Sequence, residues 1–328
     1  MSVKRPPSGG PARFRRNPGI KLDLDWLDRL QVNRSAVERR TKTLPGRRSV
    51  KNEWQAAWLL KALSCIDLTT LSGDDTPERV RRLCSKALNP VDKDVLAALG
   101  MANRGLTTGA VCVYHNMIGP ALDALGGAAL PVAAVSTGFP AGQIPLDIKI
   151  LQIERSVAAG ASEIDIVISR QHALTGNWQA VYDEVKAFRQ ACGSAHMKTI
   201  LATGDLQTLR NVARASAVCM MAGADFIKTS TGKEPVNATL AVSLVMVRMI
   251  REYYQATGHP VGFKPAGGIS TAKDALNYLF LIKEELGRRW LEPDLLRFGA
   301  SSLLGDIERQ LGHYVTGSYA AGHRLAMG

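Results

Sequence analysis

Long apolar runs are missing from this chain of 328 residues. Its best stretch, Ala241 to Ile250, is interrupted by Arg248, so no segment reads as a membrane span and no membrane partner is expected. Cysteine pairing is missing too. Cys65, Cys84, Cys112, Cys192 and Cys219 are odd in number and widely spaced, with no C-x-x-C pair. That pattern argues against a disulfide framework or a zinc site and for a reducing, cytoplasmic compartment. Cys192 and Cys219 fall in helical patterns and read as small buried hydrophobes. The six histidines show neither H-x-x-x-H nor acid-paired spacing, so no metal is expected, and His115 and His172 read as loop residues. Ser230 lacks the G-x-S-x-G surroundings of a nucleophilic serine.

Acidic side chains are absent from the first 22 residues, where only basic charge occurs. A transit peptide would show that bias, but Pro6, Pro7, Pro11 and Pro18 oppose the amphipathic helix it requires. Residues 1–22 therefore read as a disordered basic leader whose removal through residue 20 should spare the catalytic constants. Residues 1–50 hold 13 of the 41 Lys+Arg and 4 of the 29 Asp+Glu, which is +9 of the net +12. The body is thus nearly neutral, and a nucleic-acid partner is not expected of it.

What remains is an alternation of short apolar strands and helices. Residues 23–50 read as an N-terminal extension with one short helix, 51–316 as the main domain and 317–328 as a tail. Strands are expected at 64–70, 109–114, 130–137, 161–168, 196–201, 226–228, 260–264 and 296–300, each followed by a helical pattern. Trp178, Val181, Val185 and Phe188, for example, mark one helix at i, i+3, i+7 and i+10. Eight such units predict a closed (β/α)8 TIM barrel of the α/β class with an N-terminal helical extension. An open doubly wound sheet is the alternative, but no G-x-G-x-x-G follows the first strand.

Active sites of such barrels lie at the C-terminal strand ends. Asp225-Phe226-Ile227-Lys228-Thr229-Ser230-Thr231-Gly232-Lys233 puts Lys228 where the sixth strand leaves the core. Gly262-Phe263-Lys264-Pro265-Ala266-Gly267-Gly268 puts Lys264 on the seventh, about 5 Å away across neighbouring strands. Two facing ammonium groups each disfavour the other's proton, so one amine should be neutral near pH 7 and able to act as a nucleophile. Asp165 on the fourth strand can hold or relay a proton through water, and Asp67 is the polar residue of the first. Lys198, on the strand beside that of Lys228, either tunes the amine or serves the barrel. Gly232, Lys233, Gly267, Gly268, Ser270, Gly299, Ser301 and Ser302 lie in three loops whose backbone N–H groups suit an anion, at the usual phosphate position of the fold.

With Glu163-Ile164-Asp165, Ile66-Asp67-Leu68-Thr69-Thr70-Leu71 and Arg297-Phe298-Gly299-Ala300-Ser301-Ser302, these motifs resemble those of the deoxyribose-phosphate aldolase family, from about Trp54 to His313. The leader is similar to that of the longer, eukaryote-type members. The resemblance implies a Schiff-base lyase in deoxyribonucleoside catabolism, acting on a small phosphorylated sugar without a cofactor. It makes Lys228 the Schiff-base lysine, Lys264 the lysine that tunes it and Asp165 the proton-relay acid. A homo-oligomer is left open. The chain departs from the family twice. Ser270 stands where arginine is common, so Lys233 is expected to supply the main whole charge to the phosphate, and Ser270 to cap the helix beginning near Thr271. The C-terminal tyrosine of many bacterial members is absent from Leu325-Ala326-Met327-Gly328, leaving Tyr319 as the nearest substitute. A transaldolase-like enzyme would share the lysine but transfer a larger unit, and a nucleic-acid binder would depend on the basic leader.

Overall fold

In the computed structural model, which describes residues 16–321, the chain begins with a helical extension. Helices α1 (Leu24–Arg29) and α2 (Arg34–Arg47) replace the single short helix expected there. The chain turns extended at Leu30 and restarts at Asn33, whose side chain accepts from the Ala36 N–H at 2.9 Å. α2 lies against the outer helices of the main domain, and Arg40 and Arg48 reach Glu284 from it.

The barrel follows: α3 (Asn52–Ser64), β1 (Ile66–Thr69), α4 (Pro77–Leu88), α5 (Lys93–Ala98), β2 (Ala110–Val113), α6 (Ile118–Leu125), β3 (Val132–Val135), α7 (Leu146–Ala158), β4 (Glu163–Val167) and α8 (Arg170–Leu174). The second half comprises α9 (Trp178–Ala191), β5 (His196–Ile200), α10 (Leu209–Met221), β6 (Phe226–Lys228), α11 (Leu240–Thr257), β7 (Gly262–Lys264), α12 (Ala272–Leu286), β8 (Phe298–Ala300) and α13 (Leu303–Thr316). Thr76 caps α4 and Pro77 occupies its first turn, as the sequence pattern requires. Every strand pairing is parallel, in the order β7-β6-β5-β4-β3-β2-β1-β8, and bridges Phe263–Leu296 and Ala266–Gly299 join β7 to β8. The eight strands therefore close into the (β/α)8 barrel that the alternation predicts. All helices following strands start at one end of the barrel, so the residues leaving the strands converge there.

The boundary of the leader needs correction. Residues 1–15 lie outside the described residues, but Arg16 to Leu22 pack under the opposite end of the barrel. Asn17 is 3% exposed, and its amide donates to Met220 O at 2.8 Å and Ala224 O at 2.9 Å. Its own oxygen accepts from Tyr253 OH at 3.0 Å and from the Gly19 N–H at 3.1 Å. The Asn17 N–H donates to Asp225, the buried carboxylate directly before β6, which also takes Arg189 and Arg16. An asparagine is the one common side chain that offers donors and an acceptor in this small volume, a need that charge and proline content did not reveal. Asn17→Ala leaves two buried carbonyls and a buried tyrosine hydroxyl without this partner. It should cost about 2 kcal/mol or more of stability, read as a lowered thermal midpoint with kcat retained in the folded fraction. Deletion through residue 20 should lower the midpoint further, whereas an unchanged midpoint would show that the segment does not hold the barrel.

Candidate active site

Alternation along the strands turns a set of charged side chains into the barrel. Glu163 and Asp165 are two apart on β4 and so share its inner face. Register places Asp165 beside Lys198 of β5, and Lys228 of β6 beside Lys264 of β7. Asp165 Oδ2 accepts from Lys228 Nζ at 2.7 Å and from Lys264 Nζ at 2.8 Å, while its Oδ1 accepts from Lys198 Nζ at 3.1 Å. Below this layer Lys198 also bonds Glu163 and Asp67, Lys264 bonds Asp67, and Arg297 spans Asp67 at 2.6 Å and Glu163 at 2.8 Å. All seven side chains are buried.

Counting charge within this cluster decides how it titrates. Four cations (Lys198, Lys228, Lys264, Arg297) face three carboxylates (Asp67, Glu163, Asp165), so a fully ionised cluster carries one surplus positive charge. Burial opposes every ammonium, yet the acids outweigh it at Lys198 and Lys264, which are held above the ordinary lysine value. At Lys228 burial outweighs the attraction of Asp165, and Lys264 adds repulsion, so its amine is shifted downward. Asp165 and Asp67 are pushed below the usual carboxylate range, because their surrounding cations overcome the desolvation that burial imposes. The surplus proton is therefore held least by Lys228.

Only part of this cluster meets open space. A cavity of about 540 Å³ at the C-terminal strand ends is lined by Lys228, Thr69, Thr70 and the loops after β6, β7 and β8. Lys264, Lys198, Asp165 and Asp67 lie behind Lys228, which is itself 3% exposed. A second patch of the inner wall is small and apolar, formed by Cys112, Ala133 and Val135 with Tyr114 and Phe139 against it. Burial raises the Cys112 thiol, leaving it uncharged beside the lysines.

The loops are held by their own side chains. Glu234 accepts from the Thr231 N–H at 3.0 Å and its hydroxyl at 2.7 Å, and Thr231 Oγ1 accepts from the Lys233 N–H at 3.0 Å. Thr229 ties the β6 loop to the β7 loop through Ala266 N and O. Gly232, Lys233, Gly267, Gly268, Ser270, Gly299, Ser301 and Ser302 all line the cavity. At Gly267, with φ +81°, a Cβ would lie 2.6 Å from the Asn237 side chain, so a glycine is required there. At Gly299 a Cβ would stand 2.7 Å from the Ala266 Cβ and 3.3 Å from the Lys264 Cε, so the missing side chain is what admits the lysine stem.

Three sequence expectations change. Asp67 does not line the cavity; it faces inward from the middle of β1 and is taken by Lys198, Lys264 and Arg297, where an anionic ligand would also be repelled. The cap of α12 is Thr271, whose side chain accepts from the Asp274 N–H in a reciprocal capping box, and Ser270 is left exposed at the cavity rim. Tyr319 is 52% exposed, stacks on His313 and lies in a different cavity, so it does not reach Lys228. The residues after Ala321 lie outside those described. Sequence reasoning assigned no role to Glu163 or Arg297, although a charged residue at an inward position of an apolar strand was a usable signal. It also passed over Arg79 and Arg82 of α4, which line the cavity and carry no motif.

A model of the DeoC/LacD family of aldolases matches residues 61–303. Deoxyribose-phosphate aldolase of Mus musculus is 60% identical over 311 residues, which is 94% of this chain and 98% of that one. The human protein of the same name is 58% identical over 313 residues, covering 95% and 98% respectively. Among solved structures, deoxyribose phosphate aldolase of Aeropyrum pernix superposes with a TM-score of 0.56 at 23% identity, covering 83% of this chain and 100% of that one, a likeness of fold.

Proposed function

The chain belongs to the DeoC/LacD family of aldolases, and from that premise we propose that it cleaves 2-deoxy-D-ribose 5-phosphate reversibly to acetaldehyde and D-glyceraldehyde 3-phosphate. The observation that carries the reading is the position of Lys228: of the three lysines in the buried charge cluster, it alone lines the cavity, and it alone is shifted toward the neutral amine.

The free amine of Lys228 adds to the C1 aldehyde, and loss of water gives an iminium. Positive charge on that nitrogen draws electrons from C2, so the C2–C3 bond breaks as the C3 hydroxyl gives up its proton. D-Glyceraldehyde 3-phosphate leaves, and an enamine remains on Lys228. Protonation at C2 and hydrolysis of the iminium release acetaldehyde and restore the amine. Asp165 is held as a carboxylate by its three lysine partners, so it stabilises the cationic iminium beside it and, with Lys264, holds the water that takes the C3 hydroxyl proton. Lys264, above the ordinary lysine value, is a proton donor that neighbours the reacting nitrogen without competing for the substrate.

The phosphate lies against the loops after β6, β7 and β8, where backbone N–H groups and the N-terminus of α13 carry partial positive charge. Ser302 caps α13 without a side-chain bond to it, so its hydroxyl is available to a phosphate oxygen. Lys233 supplies a whole charge from the β6 side. Lys233→Ala should raise KM for the phosphorylated sugar about tenfold and leave KM for 2-deoxyribose nearly unchanged. Equal losses on the two sugars would assign this lysine to the chemistry or the loop instead. Incubation with 2-deoxy-D-ribose 5-phosphate and assay of acetaldehyde tests the reaction; absence of acetaldehyde would refute it. With no helix among the described residues long and apolar enough to cross a membrane, a cytosolic place fits this reading.

A further inference from the structure

Ser270 leaves the β7 loop without a whole charge, but the opposite wall of the cavity has cations of its own. Arg79, Arg82 and Leu83 lie at i, i+3 and i+4 on one face of α4, and all three line the cavity with Ser301 and Ser302. The two arginines differ in their commitments. Arg79 is paired with Asp74 at 2.9 Å and Asp75 at 3.4 Å, so its charge is already balanced. Arg82 has no ion pair or hydrogen bond among the described residues and is exposed at the rim.

Arg82 stands where two cavities meet, since it also lines the one bounded by Lys86, Glu308 and Tyr319, and the placement of α4 sets its level relative to the phosphate loops. Both α4 and α13 follow neighbouring parallel strands, β1 and β8, so the two helices run in the same direction. They are tied by Lys86, whose Nζ meets Glu308 Oε2 at 2.7 Å with both side chains nearly buried. Arg82 stands one turn before Lys86, and Ser302 stands six residues before Glu308. At a rise of about 1.5 Å per residue the two levels differ by only about 3 Å, and helical side chains lean toward the N-terminus, which brings the guanidinium up to the start of α13.

Building on the aldolase reading, we propose that Arg82 binds the phosphate of the substrate, supplying from α4 the whole charge that an arginine at position 270 would supply from the β7 loop. A guanidinium presents a planar pair of donors that matches two phosphate oxygens, a geometry Lys233 cannot offer from the other side. Arg82 and Lys233 thus bracket the phosphate across the cavity, with Ser301, Ser302 and the glycine backbone beneath it.

The test compares Arg82→Ala with the unchanged full-length protein in two measurements. In the first, KM is determined for 2-deoxy-D-ribose 5-phosphate and for unphosphorylated 2-deoxyribose. Arg82→Ala should raise the former about tenfold and the latter by less than about twofold, and the double variant Arg82→Ala, Ser270→Arg should recover much of the difference. In the second, inorganic phosphate is titrated calorimetrically, and its affinity should fall about tenfold in Arg82→Ala. Unchanged phosphate affinity and unchanged KM, or equal rises for the two sugars, would overturn the proposal. The calorimetric arm stands without catalysis: if the protein made no acetaldehyde yet bound phosphate through Arg82, the reaction would be wrong and the phosphate site right.

Discussion

Lys228→Ala should remove turnover by roughly 10^4-fold or more, since the reaction then has no electron sink at C1. Neither remaining lysine can replace it. Lys264 and Lys198 are fully buried, each bonded to two or more carboxylates, and both are held protonated. The variant should still fold, because three cations then face three carboxylates and Asp165 keeps Lys264 and Lys198 as partners. The same argument identifies the covalent site. Borohydride with acetaldehyde should leave an ethyl group on the Lys228 nitrogen, located by peptide mass mapping, and Lys228→Ala should take up none. An adduct on Lys264 or Lys198 would assign the nucleophile to the wrong amine and remove the basis of the mechanism.

Much of this site was legible before any coordinates. Strand–helix alternation sufficed for the barrel because its strands are buried on both sides and read as short apolar runs. One lysine ending such a run is most often a snorkelling residue, but Lys228 and Lys264 on neighbouring strands with Asp165 are much less readily accidental, and pairing in register puts the two lysines side by side. What stayed hidden depended on direction rather than identity. Asp67 looked like a residue at a strand end, but it occupies the middle of β1 and points into the charge cluster. Ser270 and Thr271 are adjacent hydroxyl residues, and only the bond to Asp274 N–H tells which one caps α12. Arg82 lies in a helix with several other basic residues, so nothing in composition separates it from Arg81, which pairs with Glu78 on the outside. The docking of Asn17 beneath β6 joins residues some 200 positions apart, beyond any local pattern.

The charge count at the barrel centre leads to a second large effect. Lys264→Leu removes one of the four cations and keeps much of the apolar stem. No buried carboxylate is abandoned: Asp67 retains Lys198 and Arg297, and Asp165 retains Lys198 and Lys228. The surplus positive charge disappears with Lys264, and so does the incentive for Lys228 to release its proton. Burial still lowers the Lys228 value, but the repulsion that assisted it is gone and Asp165 now bonds Lys228 without sharing that oxygen. Its pKa must therefore rise. Only the free amine attacks, so the acidic limb of kcat/KM against pH should move to higher pH. Below that limb, every tenfold gain in the proton affinity of Lys228 lowers the rate about tenfold. At neutral pH the loss should be roughly 100-fold, combining the smaller fraction of free amine with the loss of a proton donor beside the enamine. Raising the pH should return part of the activity, the part owed to protonation of Lys228, and borohydride trapping should recover along the same curve. A profile with its limb unmoved would show that the two amines titrate independently and that the repulsion of Lys264 does not set the Lys228 proton affinity.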